Sequence, residues 1–124
     1  MSKSRGNLVF VSRLRRAGVS SAAVRLALLG HHYRSDWEWT PADLERGERR
    51  ERLWRAGVHG AGGPSSEALL VAVRERIADD LDTPGALELI DRWASDASGG
   101  VGSDLGAPAR VRALLDTLLG VDLS

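Results

Sequence analysis

The residues best suited to chemistry stand at the start of the chain. Met1-Ser2-Lys3-Ser4-Arg5-Gly6-Asn7 gathers two hydroxyls, an ammonium, a guanidinium and a glycine. Lys3 is the only lysine; apart from the histidines, every other basic side chain is arginine. Its ammonium is a compact charge on a long stem, and Ser2, Ser4 and the local backbone N–H groups can donate to the same oxygens. Such a set grips phosphate by charge-assisted hydrogen bonds. Composition alone favours an ordinary solvated N-terminus.

Two further clusters carry functional-looking side chains. His31-His32-Tyr33-Arg34-Ser35-Asp36-Trp37-Glu38-Trp39 is the densest. Adjacent histidines point to different faces of a helix, which is poor geometry for one metal. The aromatics read as pins for a turn on the core, with Arg34 and Asp36 satisfying buried polar groups. Asp79-Asp80-Leu81-Asp82 gathers three carboxylates at a helix end. The spacing is not that of a calcium loop, and carboxylates favour the N-terminus of the helix that follows. Residues 57–66 (GVHGAGGPSS) lack the Gly-Lys-Ser/Thr ending of a phosphate loop, and His59 within them reads as exposed.

These groups need a scaffold, and the chain has length for one domain with a modest core. Lys+Arg and Asp+Glu both number 17 among 124 residues, so no global field draws in nucleic acid or an anionic membrane. Arg13, Arg15 and Arg16 could still form a local basic patch. The absence of cysteine excludes disulfides, thiol nucleophiles and thiolate metal sites. No apolar run approaches the roughly 20 residues that span a bilayer, and Leu8-Val9-Phe10-Val11 is too short for a signal core. A cytoplasmic protein is expected.

The periodicity predicts helices. After a short extended piece and a short helix ending at Gly18, Ser20 or Ser21 caps a helix whose apolar residues run almost all round; it is expected to be the central one. Thr40-Pro41-Ala42-Asp43 is a strong start, with cap, proline and N3 acid, for a helix to about Ala56. Its Glu45–Arg49, Glu48–Arg52 and Glu51–Arg55 spacings read as a solvated face, with Leu44, Leu53 and Trp54 buried. A third helix spans 66–81 with Leu70, Val73, Ile77 and Leu81 on one side. Thr83-Pro84 starts a fourth, with Leu87, Ile90, Trp93, Ala94 and Ala97 as its stripe. Pro108 opens the last, with Val111, Leu114, Leu115, Leu118 and Leu119, closed by Gly120. Flexible loops are expected at about 57–66 and 98–106. The fold class is all-α, a bundle of about five or six helices.

Met1-Ser2-Lys3-Ser4 resembles the last four residues of the KMSKS signature of class I aminoacyl-tRNA synthetases, and Arg5-Gly6-Asn7 continues as in the cysteinyl branch. The similarity extends through Ala23-Val24-Arg25-Leu26-Ala27-Leu28-Leu29, His32-Tyr33-Arg34-Ser35 and Asp79-Asp80-Leu81-Asp82-Thr83-Pro84-Gly85-Ala86-Leu87. The version His31-His32-Tyr33-Arg34-Ser35-Asp36-Trp37-Glu38-Trp39-Thr40, and the short stretch after Leu87, resemble the actinobacterial cysteine ligases of mycothiol biosynthesis more than the synthetases.

The resemblance implies that residues 1–7 are the remnant of the KMSKS loop and that 8–124 form the helical domain following a catalytic one. It makes Lys3 the catalytic residue facing the leaving pyrophosphate, with Ser2, Lys3 and Ser4 holding the ATP phosphates. The implied parent activates cysteine with ATP as cysteinyl-adenylate and joins it to the amine of glucosaminyl-inositol. The Rossmann domain and the zinc site for the cysteine thiol would lie upstream, so zinc ligands are absent from this chain. The chain alone is expected to be inactive. Two other readings stand beside this one: part of a cysteinyl-tRNA synthetase, and a free-standing helical interaction module.

Overall fold

The computed structural model describes residues 18, 20–31, 40–79 and 81–123. Among them are five helices: Ser21–Leu29 (α1), Pro41–Val58 (α2), Ser66–Ala78 (α3), Thr83–Ser98 (α4) and Ala107–Leu119 (α5). The all-α expectation holds. The short helix expected before Gly18 lies outside the described residues.

Four of the five starts are set by a side-chain cap. The Ser20 hydroxyl accepts from the N–H groups of Ala22 at 3.1 Å and Ala23 at 3.5 Å. Thr40 and Asp43 form the reciprocal capping box that Thr40-Pro41-Ala42-Asp43 predicts. Ser65 caps α3 through Ala68 N–H. Asp82, not Thr83, caps α4, its carboxylate accepting from Gly85 N–H at 3.0 Å.

The core lies among all five helices, with Ala22 and Leu26 of α1 joining residues of α2, α3, α4 and α5. Leu87, Ile90, Trp93, Ala94 and Ala97 of α4 are all buried, as their stripe predicts, and Trp54 of α2 is fully enclosed. Helix α1 is not the central one: α4 supplies more buried apolar side chains than any other helix, and α2 packs on α1, α4 and α5. Helix α1 is short and packs chiefly on α2, because its small residues allow a close crossing. Gly47 makes that crossing possible: a Cβ there would lie 2.4 Å from the Ala23 carbonyl oxygen.

Helix α3 stops at Ala78, earlier than the stripe to Leu81 predicts. Leu81 takes φ 55° and is 51% exposed, so the turn rotates it out of the stripe. Leu69 and Val73 are the residues of α3 that enter the core, while Leu70 is only half-buried. The expected flexible loops hold each other: Gly63 and Asp104 exchange N–H···O bonds of 3.2 and 3.0 Å. Gly102 passes beside this bridge at φ 95°, where a Cβ would meet the Gly63 carbonyl carbon at 2.3 Å. The chain after Gly120 folds back, burying Val121 and Leu123 completely.

Candidate functional site

Ser2, Lys3 and Ser4, the residues that the sequence singles out for ATP, lie outside the described residues, as do residues 32–39. Two polar clusters on the α1–α2–α4 face are described, and His31 is the member of the aromatic-rich stretch that joins one of them.

The first cluster surrounds Asp43, which is 3% exposed. One oxygen accepts from Thr40 N–H at 2.8 Å and the Thr40 hydroxyl at 3.2 Å. The other lies 2.9 Å from His31 Nε2 and 2.6 Å from Arg46 Nη2. Burial disfavours the ionised carboxylate and pushes its pKa up. The Thr40 N–H, the His31 ring and the Thr40 hydroxyl outweigh that, and the carboxyl titrates below its ordinary 3.8. The arrangement fixes an imidazole at the end of α1 against the first turn of α2, next to the sequence stretch 32–39.

The second cluster ties α2 to α4. Arg50 donates from Nε to both Asp91 oxygens, at 2.9 and 3.0 Å, and from Nη2 at 2.8 Å. The indole N–H of Trp54 donates to the same carboxylate at 2.7 Å. A small hollow of about 130 Å³ between the clusters is bordered by Gly30, His31, Asp43, Arg46, Arg50 and Glu88.

The acidic stretch 79–82 acts as sequence reasoning expects, since Asp82 caps α4; its carboxylate also lies 3.7 Å from Arg76 Nη1. His59 is exposed, as expected, but its Nε2 donates to the Leu123 carbonyl at 2.9 Å and holds the folded-back tail. Among the described residues no group of three His, Cys, Asp or Glu is placed to hold a metal ion. The α2 charge run is not wholly a solvated face. Arg50 and Glu51 reach other segments, Glu51 accepting from the Ser20 hydroxyl, while Glu51–Arg55 at 3.3 Å is the pair seen among the three expected spacings.

No family model matches the chain. Curated proteins do. The chain is 59% identical over 123 residues to the L-cysteine:1D-myo-inositol 2-amino-2-deoxy-alpha-D-glucopyranoside ligase of Streptomyces griseus. It is 57% identical to the ligase of the same name from Streptomyces avermitilis and 56% identical to that of Thermobifida fusca. Each match takes in 99% of this chain. Nearly the whole chain is therefore similar to one part of these ligases. It corresponds to the C-terminal part of the ligases and spans about 30% of the length of the curated relatives it matches. Among its described residues no helix is long and apolar enough to cross a membrane.

Proposed function

We propose that this chain serves as the C-terminal helical part of a ligase that uses ATP to activate cysteine as cysteinyl-adenylate and then forms an amide with the amine of glucosaminyl-inositol. The observation that supports this reading is 55–59% identity to the named ligases over nearly every residue of the chain. On it, residues 1–7 belong to a phosphate-holding loop and 8–124 to the helical domain. The partner is a Rossmann-type catalytic domain, in a cytoplasmic enzyme that needs neither nucleic acid nor membrane.

Lys3 is the residue proposed to act in the reaction. Breaking the bond between the α- and β-phosphates transfers the adenylyl group to the cysteine carboxylate and leaves negative charge on pyrophosphate. An ammonium beside that charge lowers the barrier, and Ser2 and Ser4 can hold the same oxygens. The donor set therefore fits ATP. Zinc, which the family resemblance implies for the cysteine thiol, does not fit: the chain has no cysteine, and the described residues offer no three-ligand group. No step here runs through it.

The test has two arms. The 124-residue chain, mixed with ATP, cysteine and glucosaminyl-inositol, is expected to release no pyrophosphate above background; clear turnover would overturn the division of labour. In a ligase carrying this chain as its C-terminal part, Lys3→Ala is expected to lower the adenylation rate by about 10²–10³, with cysteine binding retained. An unchanged rate removes Lys3 from the chemistry.

A further inference from the structure

Arg49 leaves unmade the ion pair that its place in α2 offers. Glu45 stands four residues before it, the spacing at which helical side chains meet. Yet no ion pair among the described residues includes Arg49. Its side chain instead borders a hollow of about 250 Å³ between α2 and α4, with Arg46, Arg50, Leu53 and Asp91 as the other walls. Three guanidiniums therefore converge around one carboxylate, and the lining holds two positive charges in excess. Asp43 pairs with Arg46 at 2.6 Å but does not border the hollow; even with it counted, one excess charge remains.

Like charges three and four residues apart on a helix repel one another. Arg46, Arg49 and Arg50 stand in that relation, and an anion in the hollow would turn the repulsion into attraction. Two of the three are already set for such a ligand. Asp43 fixes Arg46, and Asp91 fixes Arg50 through its Nε and Nη2. Guanidiniums held in place lose little freedom when a ligand arrives. Arg49 adds five N–H donors, none of them used by a bond among the described residues.

We propose that this hollow binds a phosphate dianion, either free or as the terminal group of a larger molecule. The tetrahedral oxygens of phosphate can take the forked N–H groups of several guanidiniums at once, whereas a planar carboxylate presents two oxygens. A dianion also balances the two excess charges of the lining. Asp91 is turned to its own partners, with both oxygens bonded to Arg50 and one to the Trp54 indole. The site uses none of Ser2, Lys3 and Ser4 and is independent of the ligase reading.

The test follows the arginine Nε–H signals of the 124-residue chain by nuclear magnetic resonance during titration with inorganic phosphate. A saturable shift of the Arg46 and Arg49 signals is expected, weakening with added salt. The signals are resolved by residue, so phosphate held near Lys3 leaves them unmoved. Arg49→Glu, followed at Arg46, is expected to weaken binding about tenfold or more. Arg52→Glu makes the same charge change at an exposed position of α2 outside the hollow and is expected to stay within about twofold of the parent. Both side chains are exposed, so circular dichroism is expected to match the parent in each variant. A titration without saturation overturns the proposal. So do equal losses in the two variants, which would make the attraction a general charge effect, and acetate bound as tightly as phosphate. A second arm sets inorganic phosphate against glycerol phosphate. Tighter binding of the ester, with Leu53 beside its carbon chain, assigns the site to a carried phosphate group. Tighter binding of inorganic phosphate assigns it to the free anion, and failure of both sinks the site.

Discussion

Asp91 of α4 and Arg50 of α2 meet side-on, both carboxylate oxygens lying within 3.0 Å of the guanidinium Nε. One of those oxygens also takes the indole N–H of Trp54, a side chain with no exposed surface. Removing the carboxylate leaves a buried indole N–H without its acceptor and a guanidinium without its counter-charge. Asp91→Ala is expected to destabilise the chain by about 2–4 kcal/mol. Urea denaturation followed by tryptophan fluorescence measures it. Asp91→Asn, which keeps one acceptor oxygen, should recover part of the loss; equal losses would show that the charge, not the Trp54 bond, dominates.

The α1–α2 crossing gives a prediction with the opposite sign from helix propensity. In an isolated helix, replacing glycine by alanine gains about 1 kcal/mol. At Gly47 the new methyl would lie 2.4 Å from the Ala23 carbonyl oxygen and 3.1 Å from the Ala27 Cβ. Backbone cannot swing aside as a side chain does, so α1 must shift. Gly47→Ala is expected to lower stability by about 1–3 kcal/mol, read as a drop in melting temperature. A rise in melting temperature would mean that α1 is not seated where the structure places it.

Asp43 gives an acid-side prediction. Its folded pKa lies below the ordinary 3.8, so the folded state binds this proton more weakly than the unfolded chain. The stabilisation is therefore fully present above 3.8 and is lost as the pH falls through the folded value. Asp43→Asn is expected to be less stable than the parent at neutral pH and to lose less on acidification, so the two stability curves converge below 3.8. Parallel curves in acid denaturation would place the pH sensitivity elsewhere.

Much of this scaffold is written in local signals. Thr40-Pro41-Ala42-Asp43 declares a helix start because cap, proline and acid act within one turn. The α4 stripe is legible because its apolar residues recur at helical spacing. What escaped depends on partners distant in sequence. Asp91 falls on the same side of α4 as Leu87 and Ala94, which hints that it is enclosed, but only the fold brings Arg50 and Trp54 to it. Gly47 reads as a weak point in a helix until α1 lies across it. Leu81 fits the α3 stripe by spacing, and the turn before Asp82 defeats it. Lys3, Ser2 and Ser4, the candidates that resemblance marks out, fall outside the described residues, and their role rests on chemistry and kinship.

Leu81 holds φ 55°, a left-handed conformation in which an L side chain crowds its own backbone. The cost is about 1–2 kcal/mol for most residues. With its side chain half in solvent, Leu81 returns little packing to offset that. Leu81→Gly is expected to stabilise the chain by about 0.5–1 kcal/mol, since glycine's larger unfolded entropy takes back part of the relief. Thermal denaturation against Leu81→Ala, which keeps the strain, separates the two contributions. Equal melting temperatures for the glycine and alanine variants would show that the strain is absent.

The end of the chain acts as part of the core. Val121 and Leu123 have no exposed surface, and the tail is held from two sides. His59 donates to the Leu123 carbonyl, and Arg25 donates from Nε to the Leu119 carbonyl at 2.9 Å, just before the turn. These bonds reach from the α2 end and from α1, so they tie the end of α5 and the tail to the first two helices. Leu123→Ala is expected to cost about 2–4 kcal/mol, the range for emptying a buried leucine site that collapses incompletely. His59→Ala removes one part-buried hydrogen bond and should cost about 0.5–1.5 kcal/mol. The two losses share one structural cause, the docked tail. The double variant should therefore lose less than the two single losses added, because once the tail detaches His59 has nothing left to hold. Strict additivity in denaturant titrations would show that His59 does not act through the tail.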